Sequence, residues 1–424
     1  MSRVTLIYCG VGVAGFNAHR PPGDREGAWI GHGIASIGAS LKAAGHAVSL
    51  IDLRQLGGWN DFAATVARDP ADVFGLSVSP VDGQFVASMA EMIKHFHPTA
   101  RIIAGGIHST IFADQYAGTQ VDTVLRGEGE VTFCDLVARM ERGEVWPRQI
   151  EGVKPDLDLI PWADRELFNY KREMECFFAP GQALPSITML AGRGCPYACT
   201  YCQPAENAVF GKPFRIRSPE NVIAEMTDLH QRYAYRSVTF WDDTFTILKP
   251  WVMKFCDLYE RSGIGATIAA CSRADIICRD EAMIARMAEV GVNWFVIGLE
   301  SGSQRVLDLI KKGTTVEQNY RAAEICRKYG IKIFGTYMYG LPTETNEEVL
   351  ATARMIDDIR PELASPFYFL PIPGTEVYTL CEKEGLLLDT GNSIERTGKP
   401  NRSIKGVDYD FIDSVIRGNR RLAA

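Results

Sequence analysis

The sequence predicts an α/β protein of two domains, an N-terminal doubly wound parallel sheet followed by a partial (β/α)6 barrel of the TIM type. Three observations predict it. Short apolar runs of strand length alternate with helical patterns twice, over residues 1–143 and again over 186–385. Between them, residues 144–185 mix Pro, Gly and Asp with isolated apolar residues and read as an extended connection. The 424 residues, 46% of them hydrophobic, suffice for two or three cores.

In the first series, strands are expected over 4–8, 47–51, 73–78, 101–104 and 121–125, with helices over 34–44, 85–95 and 131–141. A Rossmann-like sheet of this kind takes ligands in the crevice outside the carboxyl ends of its strands. The residues at those ends are Ser77 and Ser79, then Gly105, Gly106 and His108, then Arg126, Gly127 and Glu128. Glycines there permit close backbone approach, and helix N-termini after Ser109 and Glu130 offer free amides. By pattern alone the same residues serve equally as turns.

In the second series, strand-like runs stand at 187–190, 237–241, 267–271, 294–299, 331–337 and 365–370. Six such units make an incomplete barrel, whose active residues belong at the C-terminal strand ends. After the first strand comes Leu190-Ala-Gly-Arg-Gly-Cys-Pro-Tyr-Ala-Cys-Thr-Tyr-Cys-Gln203. Thiolates of Cys195, Cys199 and Cys202 can hold three corners of an iron-sulfur cube; ligation normally takes four, so the fourth iron is left open. Structural zinc would need a second ligand pair at set spacing. None follows: His230 stands in a helical stretch and Cys256 has no partner nearby. Most of the remaining Cys, dispersed along the chain, read as small core residues.

The other strand ends are polar or bear glycine. Asp242 and Asp243 suit an ammonium group, although Asp243 also suits a helix cap. Ser272 and Arg273 end the third strand, Glu300 the fourth, and Gly340 lies after the fifth. Arg215 and Arg217 read equally as ligand contacts or as salt-bridged surface residues. Lys311 and Lys312 read as a solvated helix end. Tyr337, Tyr339, Phe367, Tyr368 and Phe369 read as barrel core. The tail, 386–424, is polar, with a helix expected over 409–420.

The run Cys195-Pro-Tyr-Ala-Cys-Thr-Tyr-Cys202 resembles the signature of radical S-adenosylmethionine (SAM) enzymes, with the aromatic Tyr201 before the last Cys. The resemblance implies a 4Fe-4S cluster whose open iron is chelated by the amino and carboxylate groups of SAM, and cleavage of SAM to a 5′-deoxyadenosyl radical. It implies SAM contacts from Tyr201, Asp242, Asp243, Ser272, Arg273, Glu300 and Gly340. Asp242 and Asp243 fall at the amino end, Ser272 and Glu300 near the ribose hydroxyls, Arg273 near the carboxylate, and Gly340 beside the adenine.

In the first domain, Ile30-Gly-His-Gly-Ile-Ala-Ser-Ile-Gly-Ala-Ser-Leu-Lys-Ala-Ala-Gly-His46, the Ser77 strand, Gly105-Gly-Ile-His108 and Arg126-Gly-Glu-Gly-Glu130 resemble the cobalamin-binding domain fused to many radical SAM enzymes. No Asp-x-His-x-x-Gly motif occurs, and His19 is wrongly spaced for a cobalt ligand, so cobalamin is expected without a protein imidazole. His108 is expected to line the pocket of the nucleotide tail. Together the two resemblances imply a cobalamin-dependent radical SAM enzyme that methylates an unactivated carbon. Cyclisation or ring rearrangement is the alternative, and a cobalamin or redox sensor stands in another class. A small-molecule or natural-product substrate and an electron donor of flavodoxin or ferredoxin type follow as partners. A formal net charge of -7 leaves no nucleic-acid footprint. No apolar run reaches the ~20 residues of a membrane span, and the start enters a strand rather than a signal peptide. Scattered Cys and the cluster motif point to a reducing cytoplasm.

Overall fold

The computed structural model describes residues 1–9, 30–80, 82–168, 170, 174–175, 181–212, 214–388 and 402–418. The backbone forms two compact units, one of them Met1–Cys176 with Asn207–Gly211, the other holding the remaining described residues.

The first unit is built on six parallel strands, β1 (Arg3–Tyr8), β2 (Ala47–Asp52), β3 (Val73–Ser77), β4 (Arg101–Gly105), β5 (Thr123–Arg126) and β6 (Gln149–Glu151). Their order is β2-β1-β3-β4-β5-β6. The central strands are nearly all apolar and buried, as helices on both faces require. His32–Ala43 packs with Glu130–Glu141, and Trp59–Arg68 with Val86–Phe96. Phe62, Phe74, Met89 and Ile93 fill the layer beneath the second pair. The winding reverses between β1 and β3, so the ligand crevice of such a sheet belongs at the C-terminal ends of these strands.

Two elements depart from expectation. The helix Trp59–Arg68 had no counterpart in the sequence reading. β6 lies inside the supposed connection, yet pairs with β5 through Val124 and Gln149. Gln149 and Glu151 are exposed, so this edge strand carries no apolar signal. The expectation for His19 falls outside the described residues.

The second unit carries β7 (Ser186–Met189), β8 (Gly192–Arg193), β9 (Arg215–Ile216), β10 (Ser237–Phe240), β11 (Thr267–Ser272), β12 (Val292–Glu300), β13 (Lys332–Tyr339) and β14 (Leu363–Tyr368). Six of them form one parallel sheet in the order β14-β13-β12-β11-β10-β7. Neighbours in space are successive barrel strands in the chain, which is the winding of a partial (β/α)6 barrel. Helices between them start at well-formed caps. Thr315 with Gln318 and Thr345 with Glu348 each make a capping box, and Ser218 caps a helix beginning at Pro219. β8 and β9 pair antiparallel at the base of the cysteine loop. The tail helix runs Tyr409–Gly418 and packs on Asn346–Ile359. Tyr337, Tyr339 and Phe369 are core residues, whereas Phe367 is 49% exposed. No helix among the described residues is long and apolar enough to cross a membrane.

Candidate active site

The cysteine loop leaves the C-terminal end of β7 and is pinned along its length. Asp242, just beyond β10, accepts the amide of Ala191 at 3.0 Å and that of Gly192 at 2.5 Å. Burial pushes this carboxyl up to about 7, against the lowering effect of the two amides. Arg217 donates to Leu190 O at 3.1 Å and pairs with Glu225 at 2.6 Å, which makes it a structural clamp. Farther along, Thr200 N donates to Ile310 O and Val377 N to Thr200 O.

Cys199 is buried, Cys195 half-buried and Cys202 exposed. Burial pushes the Cys195 thiol up to about 11, so a thiolate there needs a cation in place of its proton. Each corner of a cube takes one thiolate, so the three sulfurs need not converge on a single ion. Among the described residues no group of three His, Cys, Asp or Glu side chains does so. Arg273 Nη1 lies 3.9 Å from Cys199 Sγ, a contact of the kind that tunes a cluster through its sulfurs. The guanidinium rests 3.5 Å above the Tyr197 ring, with Nε on Asp275 and Nη2 on Lys312 O.

Two groups of acidic and basic side chains flank this loop. In the first, Glu206 stands beside Asp243, and burial raises the pKa of both carboxyls. Oε2 of Glu206 accepts from Gln203 at 3.1 Å, its buried Oε1 meets no geometric hydrogen-bond donor among the described residues, and the two carboxyls interact closely enough to share a hydrogen bond. A cation between two such carboxyls would relieve their mutual repulsion. In the second, Glu300 Oε1 accepts from Lys312 Nζ at 2.7 Å and from Tyr201 OH at 3.0 Å. Oε2 has no partner among the described residues and remains free to accept.

The sequence-predicted SAM residues thus fall into distinct settings. Tyr201 and Glu300 touch one another, and Asp243 faces Glu206. Ser272 is buried, with its hydroxyl 2.8 Å from that of Thr246. Asp242 is committed to the backbone of the loop. The Gly340 amide is taken by Glu344 at 2.6 Å, and the space above its Cα is filled by the Tyr409 ring, so glycine is needed there for tail packing and a φ of +79°. Lys312 corrects an expectation: it is 6% exposed and ion-paired, not a solvated helix end, while its neighbour Lys311 is exposed.

In the first unit, Ser77, Ser79, Gly105, Gly106, Arg126, Gly127 and Glu128 gather at the C-terminal ends of β3, β4 and β5. Gly106 adopts φ +97°, and a Cβ on it would stand 2.7 Å from Val78 O. At Gly105 a Cβ would find nothing closer than Leu125 O at 3.8 Å, leaving a cradle open to a bulky ligand. Ser79 donates to Asp82 at 2.6 Å, and Thr110 O and Oγ1 accept from Arg126 Nε and Gly127 N. The short helix here begins at Ile107, ahead of Ser109. His108 is enclosed by Phe112 and Tyr116, with Nδ1 2.9 Å from Tyr116 OH, and burial lowers its pKa. Its ring is packed into the domain core among the described residues.

Two family models match the chain, that of the radical SAM superfamily over residues 189–356 and that of the B12 binding domain over residues 23–137. An uncharacterized methyltransferase of Pyrococcus horikoshii is 28% identical over 408 residues, which cover 91% of this chain and 85% of the relative. An anaerobic magnesium-protoporphyrin IX monomethyl ester cyclase of Rubrivivax gelatinosus is 24% identical over 434 residues, covering 96% and 76%. Among solved structures, the radical SAM methyltransferase TsrM from Kitasatospora setae, with cobalamin and its iron-sulfur cluster bound, matches with a TM-score of 0.69 at 17% identity. That match covers 92% of this chain and 77% of the other, and it is a likeness of fold.

Proposed function

Because this chain belongs to the radical SAM superfamily and carries a B12-binding domain, we propose that it is a cobalamin-dependent methyltransferase acting on an unactivated carbon of a small-molecule or natural-product substrate. The observation that carries this reading is the three-thiol loop at the C-terminal end of β7, flanked by the buried carboxyl pair Glu206–Asp243 on one side and by Glu300 with Lys312 and Tyr201 on the other. When bound, the cluster supplies the electron that splits SAM, and cobalamin carries the methyl group that replaces the abstracted hydrogen.

The protein's part is to hold and orient. Cys195, Cys199 and Cys202 ligate three irons. Asp243 and Glu206 receive the SAM ammonium, where buried carboxyls gain from a cation. Glu300 Oε2 accepts from the ribose hydroxyls, and the Arg273 donors not already engaged meet the carboxylate. Gly105 and Gly106, with Ser77, Ser79, Arg126, Gly127 and Glu128, form the cobalamin edge of the first unit. A flavodoxin or ferredoxin type donor and a reducing cytoplasm suit a site of this kind.

Anaerobic reconstitution with iron, sulfide and cobalamin tests the proposal. Cys199→Ala is expected to lose cluster absorbance and deoxyadenosine formation while retaining corrinoid. Deoxyadenosine production unchanged from wild type would sink it. The cyclase relative makes ring closure the second reading. Methyl-labelled SAM separates the two, since a cyclase leaves its product unlabelled.

A further inference from the structure

We propose that Lys312 is a positioning residue that aims Glu300 at the ribose hydroxyls of SAM. The proposal rests on the reading of this unit as a SAM-binding site. Three features of the chain are arranged around one carboxylate. Lys312 Nζ lies 2.7 Å from Glu300 Oε1 and 3.2 Å from the Tyr201 hydroxyl, which itself donates to the same Oε1 at 3.0 Å. Glu300 holds φ +60° at a register shift in β12, a conformation that a non-glycine residue adopts only where its surroundings impose it. Gly298 makes room for the pair: a Cβ there would stand 2.2 Å from Glu300 Oε1 and 2.8 Å from Lys312 Nζ.

Such an arrangement does not arise for stability alone. Lys312 and Glu300 are 6% and 7% exposed, and a buried ion pair contributes little net stability over an apolar replacement of the same volume. What it does provide is a fixed orientation. With Oε1 held by both Lys312 and Tyr201, the carboxylate cannot rotate, and Oε2 is the only oxygen left to accept from a ligand. Tyr201 sits between Cys199 and Cys202 in the chain, so the same contact fixes the carboxylate relative to the cluster loop. The Lys312 backbone serves that loop separately. Its carbonyl accepts from Arg273 Nη2 at 2.5 Å, and Arg273 reaches Cys199 Sγ. Replacing the Lys312 side chain therefore leaves the Arg273 contact in place.

The test uses the full chain, anaerobically reconstituted, with SAM and its 2′-deoxy analogue titrated against the spectrum of the oxidised cluster, which binds SAM without cleaving it. Lys312→Met is expected to keep wild-type iron and sulfide content while its SAM dissociation constant rises ~10- to 100-fold, the usual effect of removing an orienting partner. The wild type is expected to prefer SAM over the deoxy analogue, Lys312→Met to lose that preference, and Lys312→Arg to recover most of it. A purely structural role would weaken both ligands equally and leave the preference intact, and that result overturns the proposal, as does wild-type SAM affinity in Lys312→Met. Should Lys312→Met fail to fold, Lys312→Met/Glu300→Gln, which leaves no unpaired charge, is expected to fold and to bind both ligands alike; a retained preference for SAM overturns the proposal. If the wild type itself shows no spectral response to SAM, the functional reading of the whole site falls first, and the role of Lys312 falls with it.

Discussion

Both oxygens of the Asp242 carboxylate lie 3.0 Å from the amide nitrogen of Ala191, so a side chain from the end of β10 fixes the chain where it leaves β7 for the cysteine loop. Asp242→Asn keeps the volume but turns one acceptor into a donor facing a backbone N–H. The expected cost is about 2–3 kcal/mol, because the hydrogen bonds are to an ionisable, buried group. Iron and sulfide content after reconstitution should fall before any SAM is added. Full cluster loading in this variant would mean that the clasp is dispensable.

How the site is read from sequence differs from residue to residue. Cys195, Cys199 and Cys202 were legible because their spacing is local, and six apolar strand runs in order sufficed for the barrel. Lys312 was not. Beside Lys311 it looks like a basic helix end, yet its amide folds back onto Leu307 O, and its side chain meets a carboxylate from the preceding strand. Glu206 gave only the faint signal of an acid in the first turn of the helix Ala205–Phe210, four residues past the last cysteine. Its importance depends on Asp243, which only the barrel brings beside it. Likewise, nothing local marks Gly340 as the seat of the Tyr409 ring.

The glycine pair after β4 gives an internal contrast. Gly106→Ala forces a left-handed residue and sets a methyl 2.7 Å from the Val78 carbonyl, for which about 2–4 kcal/mol is the expected loss. Gly105→Ala meets only open space and ordinary contact, so its unfolding midpoint should stay near that of the wild type. Chemical denaturation of the two variants side by side checks this. Equal midpoints would show that β4 leaves the sheet by another path.

One anchor of the tail is the Tyr409 phenol, beside the hydrogen bond of Tyr368 OH to Asp413 and the ion pair of Arg402 with Asp410. Tyr409 OH accepts from the amides of Ser403 and Ile404 at 3.0 and 2.9 Å, while its ring covers Gly340. Tyr409→Phe keeps the ring contact but strands two buried amides, at a cost of about 1–3 kcal/mol. Limited proteolysis should cut the variant in the tail faster than the wild type, with the barrel fragment intact. Identical cleavage rates would show that the Tyr409 hydroxyl is dispensable for holding the tail.

Glu348 ties two helices together, and its effect is readable in pH. It caps the helix Asn346–Ile359, accepts from Ser303 at 2.7 Å and pairs with Arg305 at 2.5 Å. The hydrogen bond from Arg305 lowers its pKa from 4.5 to about 2. Between those values the unfolded chain binds more protons than the folded one. The contribution to stability is therefore complete above about pH 4.5 and drains away as pH falls toward 2. With solvent screening at this half-buried site, Glu348→Gln should cost about 1–2 kcal/mol at pH 7. Urea unfolding of wild type and variant at pH 7, 5, 4 and 3 should show a constant gap down to the ordinary carboxyl range and a narrowing one below it. A gap that persists undiminished at pH 3 would show that the effect does not come from the charge of the carboxylate, and so not from the ion pair with Arg305.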